Sequence, residues 1–175
     1  MIVENSVQLE TFKKMYSTED CIVIPIQCND TKHSVSDELS LLYVQMWGGN
    51  EFILPFNHNE TLDIEIPNLK SDTKKYTYDR KKLNHFIKLD NVIDVNLIHY
   101  MATNVPLSIE EIDTNAHHFF NMMYYRKKNI NTIIPVLKHL EYCRELAKVI
   151  KDTIAKHNQY VNVSYNNEVL DKADY

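Results

Sequence analysis

Asp79 heads a short basic run, Arg80, Lys81, Lys82, His85 and Lys88, and further along Asp94 opens a stretch whose apolar positions are Val95, Leu97, Ile98 and Met101. A carboxylate at a helix start can do two kinds of chemistry. Its oxygens accept bonds from the orphan amides of the first turn and suit the positive end of the helix dipole. The same oxygens are hard ligands for a divalent cation of the kind that activates water against a phosphodiester. A lone carboxylate binds magnesium very weakly, so the choice between cap and ligand turns on whether other acids converge on Asp79.

Other clusters invite the same question. His117 and His118 precede Phe119, Phe120, Tyr124, Tyr125, Arg126, Lys127 and Lys128. Neighbouring helical residues point about 100° apart, so the two imidazoles cannot easily share a metal. The cluster reads either as helix core with a solvated basic end or as a single-strand contact, where aromatics stack on bases and cations meet phosphates. Cys28, His33 and His58 lack a fourth ligand at zinc spacing. Cys143 falls on the apolar face of the last helix, where a cysteine packs rather than reacts.

The chain that must position these groups has 175 residues, enough for one domain with a real core. A hydrophobic fraction of 44% with 25% charged residues is ordinary for a soluble globule, and the net charge of -5 gives no global attraction to polyanions. Any nucleic-acid site must be local. Three cysteines without C-x-x-C spacing suggest neither a disulfide framework nor a zinc knuckle, and a reduced, cytoplasmic setting is expected. No signal-like start and no apolar run near the roughly 20 residues of a membrane span are present. Gly48 and Gly49, the only glycines, exclude a P-loop or dinucleotide-type phosphate cradle.

Periodicity predicts a first helix capped by Ser6, with Leu9, Phe12, Met15 and Tyr16 on one face. Cys21 to Gln27 (CIVIPIQ) reads as a buried strand interrupted or bulged at Pro25. Residues 39–46 and 51–56 flank Trp47, Gly48, Gly49 and Asn50 as an antiparallel hairpin. A further strand is possible at 62–66, and the polar stretch 68–75 reads as a mobile loop leading to the Asp79 helix. A small apolar strand precedes Asp94, a helix follows at 95–102, then a turn at Asn104 to Pro106 and a helical stretch at 108–125 with a break near Asp113. The last helix carries Ile133, Val136, Leu137, Leu140, Cys143, Ala147, Ile150 and Ile154 on one face, capped by Thr132. The tail is polar, with a weak extended segment at 160–163.

That order of elements describes an α/β, ribonuclease-H-like mixed sheet covered by helices. From about residue 21 to residue 150 the chain resembles, collinearly, the 3′-5′ proofreading exonuclease domain of family A DNA polymerases, the DNA polymerase I type. CIVIPIQCND, ELSLLYVQ and EFILPFNHN resemble that family's first three strands, the third ending in a proline and a histidine. YTYDRKKLNHF resembles its second motif, where a tyrosine and an aspartate open a helix, and NVIDVNLIHYM resembles the phenylalanine-aspartate-threonine-methionine-leucine segment that follows. The asparagine, lysine and isoleucine bias matches AT-rich coding DNA, as in many phages and marine bacteria.

The resemblance implies four carboxylates holding two metal ions. Two of them belong at alternating positions of the first strand, and Pro25 and Gln27 stand there instead. Asp79 matches the second motif. The third motif, a tyrosine followed four residues later by an aspartate, maps onto KHLEYCRELAK, which offers Glu141, Tyr142 and Glu145 without that pair. Asp30 or Asp37 as replacements would lie well away from the strand end. The expectation is a degenerate exonuclease-like domain at 1–157 with a tail or linker at 158–175 toward a polymerase region. It is expected to be non-catalytic and to need no cofactor. It would support the polymerase in the same polypeptide or contact single-stranded DNA through Arg80, Lys81, Lys82, His85, Tyr125, Arg126, Lys127 and Lys128, with Asp79 vestigial. Two alternatives stay open: an active Mg2+- or Mn2+-dependent exonuclease with displaced carboxylates, and a free-standing phage interaction protein that kept the fold.

Overall fold

The computed structural model describes residues 1–3, 5–27, 39–55, 69–109 and 133–161, without the side chains of Gln27, Ser40, Pro55 and residues 133–139. The elements run α1 (Ser6–Tyr16), β1 (Cys21–Gln27), β2 (Leu39–Met46), β3 (Glu51–Pro55), β4 (Lys75–Thr77), α2 (Arg80–Phe86), β5 (Val92–Asp94), α3 (Val95–Thr103) and α4 (Ile133–Lys156), then a 3-10 turn at Asn158–Tyr160. The sheet order is β3-β2-β1-β4-β5. The first three strands pair antiparallel, while β4 joins β1 and β5 joins β4 in parallel. This is the expected ribonuclease-H-like mixed sheet flanked by helices, and among the described residues β4 is a strand that the sequence did not suggest.

Alternation along the strands explains why helices cover both faces. Ile22, Ile24, Ile26, Leu41, Tyr43 and Ile53 point toward α3 and α4, meeting Val95, Ile98, Cys143, Leu146, Ala147, Ile150 and Ile154. Cys21, Val23, Leu42, Val44, Met46, Phe52 and Leu54 point the other way, toward Leu9, Phe12 and Tyr16 of α1 and Leu83 of α2. Arg144 of α4 forks onto Glu51 at the head of β3, with Nε and Nη2 each 2.7 Å from a carboxylate oxygen, and the Tyr43 hydroxyl donates to the same carboxylate. The guanidinium beside it holds the Glu51 carboxyl below its ordinary range.

Several expectations are corrected. Asn5, not Ser6, caps α1, its side chain accepting from the Gln8 amide; asparagine and serine serve that position about equally, so type alone could not choose. Pro25 does not interrupt β1, which pairs with β2 along its whole length and shifts register only between Ile26 and Gln27. On the other side β4 reaches only Cys21 and Ile22, so the missing proline donor meets no parallel partner. The stretch read as a mobile loop is anchored. Leu69 is buried, the Ser71 and Thr73 hydroxyls both donate to the Tyr16 carbonyl, and Lys75 is a fully buried strand residue whose Nζ donates to the Ser71 carbonyl at 2.6 Å. Tyr76 and Thr77 favour strands, but three residues are too few to show the two-residue alternation that marks one. The third strand stops at Pro55, and the extended segment expected at 160–163 begins instead as part of the 3-10 turn, with Val161 buried after it. The N-terminus adds an edge contact, Val3 N donating to Ile53 O and Ile53 N to Met1 O, both at 2.9 Å. Residues 62–66, most of 108–125 and Thr132 lie outside the described residues.

His99 on α3 meets His157 just past α4, ring centroids 5.4 Å apart. Burial, then the neighbouring His157 and Lys156, hold His99 below its ordinary value. The unfolded chain therefore takes up this proton first, and stability is lost as pH falls below about 6.5 through the folded value. The urea midpoint of the wild type is expected to drop more than that of His99→Gln between about pH 8 and about pH 5.5. Equal drops would contradict it.

Candidate nucleic-acid cleft

Two aspartates organise the ground around the cleft. Asp79 sits in extended conformation ahead of α2, and its Oδ1 accepts from the Lys81 amide at 3.0 Å and the Lys82 amide at 3.3 Å. Asp94 ends β5 with 1% of its surface exposed. Its Oδ1 accepts from the Leu97 amide at 2.8 Å, and its Oδ2 from the Arg80 amide at 3.1 Å. One buried carboxylate thus satisfies first-turn donors of both α2 and α3, and the pair accounts for three consecutive amides of α2, those of Arg80, Lys81 and Lys82. The sequence assigned Asp94 to α3 alone; its reach to α2 depends on β4 and β5 lying side by side, Thr77 opposite Asp94.

Beside these caps lies a cleft of about 190 Å³. Ile24 and Pro25 of β1 form one wall, Thr77 and Tyr78 another, and Tyr142 and Leu146 of α4 close it with Ile109. Asp79 and Lys82 contribute the charged groups among its described lining. Tyr78 is held in place by its hydroxyl, which donates to the Leu107 carbonyl at 2.6 Å, while Leu107 N donates to Asn96 Oδ1 at 2.7 Å. The result is a small amphipathic recess with aromatic and aliphatic walls and one pair of opposite charges.

No family model matches the chain, and no curated protein matches it by sequence. Among solved structures it is similar to the EXO domain of Aedes aegypti Nibbler, at 12% identity over 94% of each chain with a TM-score of 0.57. It is also similar to the POL domain of Pol1 from M. smegmatis in complex with DNA primer-template and dNTP, at 14% identity over 94% of this chain and 29% of that one, TM-score 0.56. The fold is that of a DEDD-type 3′-5′ exonuclease domain.

The side chains described around the cleft do not fit the pair of magnesium or manganese ions that the resemblance implies. Every residue of β1 between Cys21 and Gln27 lacks a carboxylate, so neither face of the strand supplies a negatively charged oxygen ligand, whatever the alignment. On α4, Tyr142 lines the cleft and the buried Leu146, four residues on, lines it too, so this face of the helix brings no carboxylate to it. Glu141 and Glu145 are exposed and stand outside the lining. Asp79 Oδ1 is engaged by two amides, and Lys82 beside it repels a cation. Among the described residues no group of three His, Cys, Asp or Glu is placed to hold a metal ion.

The structure brings only part of the expected contact set together. Lys82 faces the cleft with Asp79, whereas Arg80, Lys81 and His85 share α2 without lining it. His85 lies edge-on to Phe86, centroids 5.1 Å apart. Tyr125, Arg126, Lys127 and Lys128, with His117, His118, Cys28, Asp30, His33, Asp37 and His58, lie outside the described residues. Cys143 is buried and desolvated, which pushes its thiol far above the ordinary range and rules out a reactive thiolate. Thr77, Tyr78, Ile109 and Leu146 were not expected at the site. The legible signal among them was Tyr78, the tyrosine that precedes Asp79. No helix among the described residues is long and apolar enough to cross a membrane.

Proposed function

We propose that this chain is a non-catalytic exonuclease-like domain that holds single-stranded DNA without cutting it, or braces a polymerase region in the same polypeptide. The observation that carries the reading is the lining of the cleft, where Pro25 and Leu146 bring no charge and Asp79 is the one carboxylate among the described lining residues. Hydrolysis of a phosphodiester in this fold relies on metal-bound water and metal stabilisation of the leaving oxygen, and both need more carboxylates than this. The likeness to a polymerase chain bound to primer-template, of which this chain matches 29%, supports the polymerase connection. In this reading the domain runs from residue 1 through the packed Val161, a little past the boundary drawn at 157, and the residues beyond form the tail or linker.

The test is incubation of the purified chain with an end-labelled single-stranded oligonucleotide in magnesium or manganese. The expected result is an intact oligonucleotide with wild type and with Asp79→Ala alike. A metal-dependent product ladder that disappears in Asp79→Ala would instead establish the active exonuclease with displaced carboxylates.

A further inference from the structure

The cleft is too small for a whole cofactor and too large to be a packing defect. Its roughly 190 Å³ falls below the 300–1,000 Å³ of drug-sized ligand pockets and somewhat above the ~150 Å³ that accommodates a benzene ring. One planar ring fits. Pro25, Leu146 and the rings of Tyr78 and Tyr142 supply apolar and aromatic walls of the kind on which nucleobases stack.

The charge on the cleft matters as much as its size. A site built from several carboxylates repels a phosphate until cations neutralise it. Here Asp79, whose Oδ1 already accepts from two backbone amides, is the one carboxylate among the described lining, and the Lys82 ammonium lines the same cleft. Lysine binds phosphate as a compact point charge and needs no metal to do so.

We infer that the cleft is a metal-independent site for one nucleotide of a single strand, its base against the Pro25, Tyr142 and Leu146 walls and its phosphate at Lys82. The lysine takes over the electrostatic task that divalent ions perform in a carboxylate-rich version of the fold. This rests on the reading that the domain contacts single-stranded DNA, and it adds which residue holds the phosphate and why magnesium is dispensable.

The test is fluorescence anisotropy with a labelled oligothymidylate at low salt, in EDTA and again in magnesium. Affinity is expected to agree within about twofold between the two conditions and to fall about tenfold in Lys82→Glu. Lys148→Glu, an equal charge change on the exposed side of α4, is expected to cost less than about threefold. Leu146→Asp, which places a second carboxylate in the cleft, should weaken binding in EDTA; circular dichroism confirms that each variant is folded. Thymidine monophosphate is expected to compete where thymidine does not. Binding that requires magnesium, or equal losses in Lys82→Glu and Lys148→Glu, would overturn the inference. So would no binding at all, which leaves the non-catalytic reading standing; cleavage of the oligonucleotide in magnesium would remove that reading instead.

Discussion

Replacing Asp94 by alanine is expected to lower the unfolding free energy by about 3 kcal/mol, measured by urea denaturation followed by circular dichroism. The size follows from its position. A single exposed cap contributes about 1 kcal/mol, but Asp94 is buried and serves two helices at once, accepting from Leu97 N and Arg80 N. Removing the carboxylate leaves two amides without their acceptor in a site closed to water, where an unmade bond costs about 1–3 kcal/mol. Asp94→Asn keeps one acceptor and places a donor against the other amide, so it should lose a large share of the same energy. Asp79→Ala, by contrast, removes a half-exposed cap of one short helix and should cost about 1 kcal/mol. An Asp94→Ala loss no larger than that of Asp79→Ala would contradict the two-helix role.

Truncating Ile150 to alanine is expected to cost about 3–4 kcal/mol by the same measurement. Ile150 is fully buried on α4 and belongs to the cluster formed with Ile22, Ile24 and Tyr43 of the central strands. Its loss removes the transfer energy of the deleted carbons and leaves a cavity that a helix tied to the sheet edge by Arg144 and Glu51 cannot readily close. Exposed Lys148 on the same helix should tolerate alanine within about 0.5 kcal/mol. Similar costs at 148 and 150 would mean that α4 does not pack as described.

Elements with strong local signals were legible in the sequence. The β2–β3 hairpin, with Gly49 at φ 105 in its turn, has the expected first strand, and its second ends one residue early at Pro55. The helix after Asp94 ends at Asn104 in the left-handed conformation, at φ 62, as the turn signal implied. The β-branched run CIVIPIQ marked a buried strand, and the three- and four-residue steps of Cys143, Ala147, Ile150 and Ile154 marked a buried helix face. The residues that stayed hidden owe their structure to partners far away in sequence. Lys75 becomes a strand residue because Cys21 pairs with it, and its ammonium is tolerated in the interior because Tyr16 and the Ser71 carbonyl receive it. No local propensity scale contains that information.

At the site the division has the same cause. The sequence by itself determined what β1 cannot do: seven residues without a carboxylate supply no charged oxygen ligand, because charge is a property of side-chain type. It also determined that Asp79 and Asp94 stand at helix starts, since capping is a local contact. Only the tertiary structure decided that Asp94 bridges two helices, that Leu146 closes the cleft beside Tyr142, and that Lys82, alone of its basic run, faces it. Those facts depend on the parallel pairing of β4 between β1 and β5 and on α4 crossing the sheet. Contacts between distant segments are set by packing of the whole core, which the order of residues constrains but does not display.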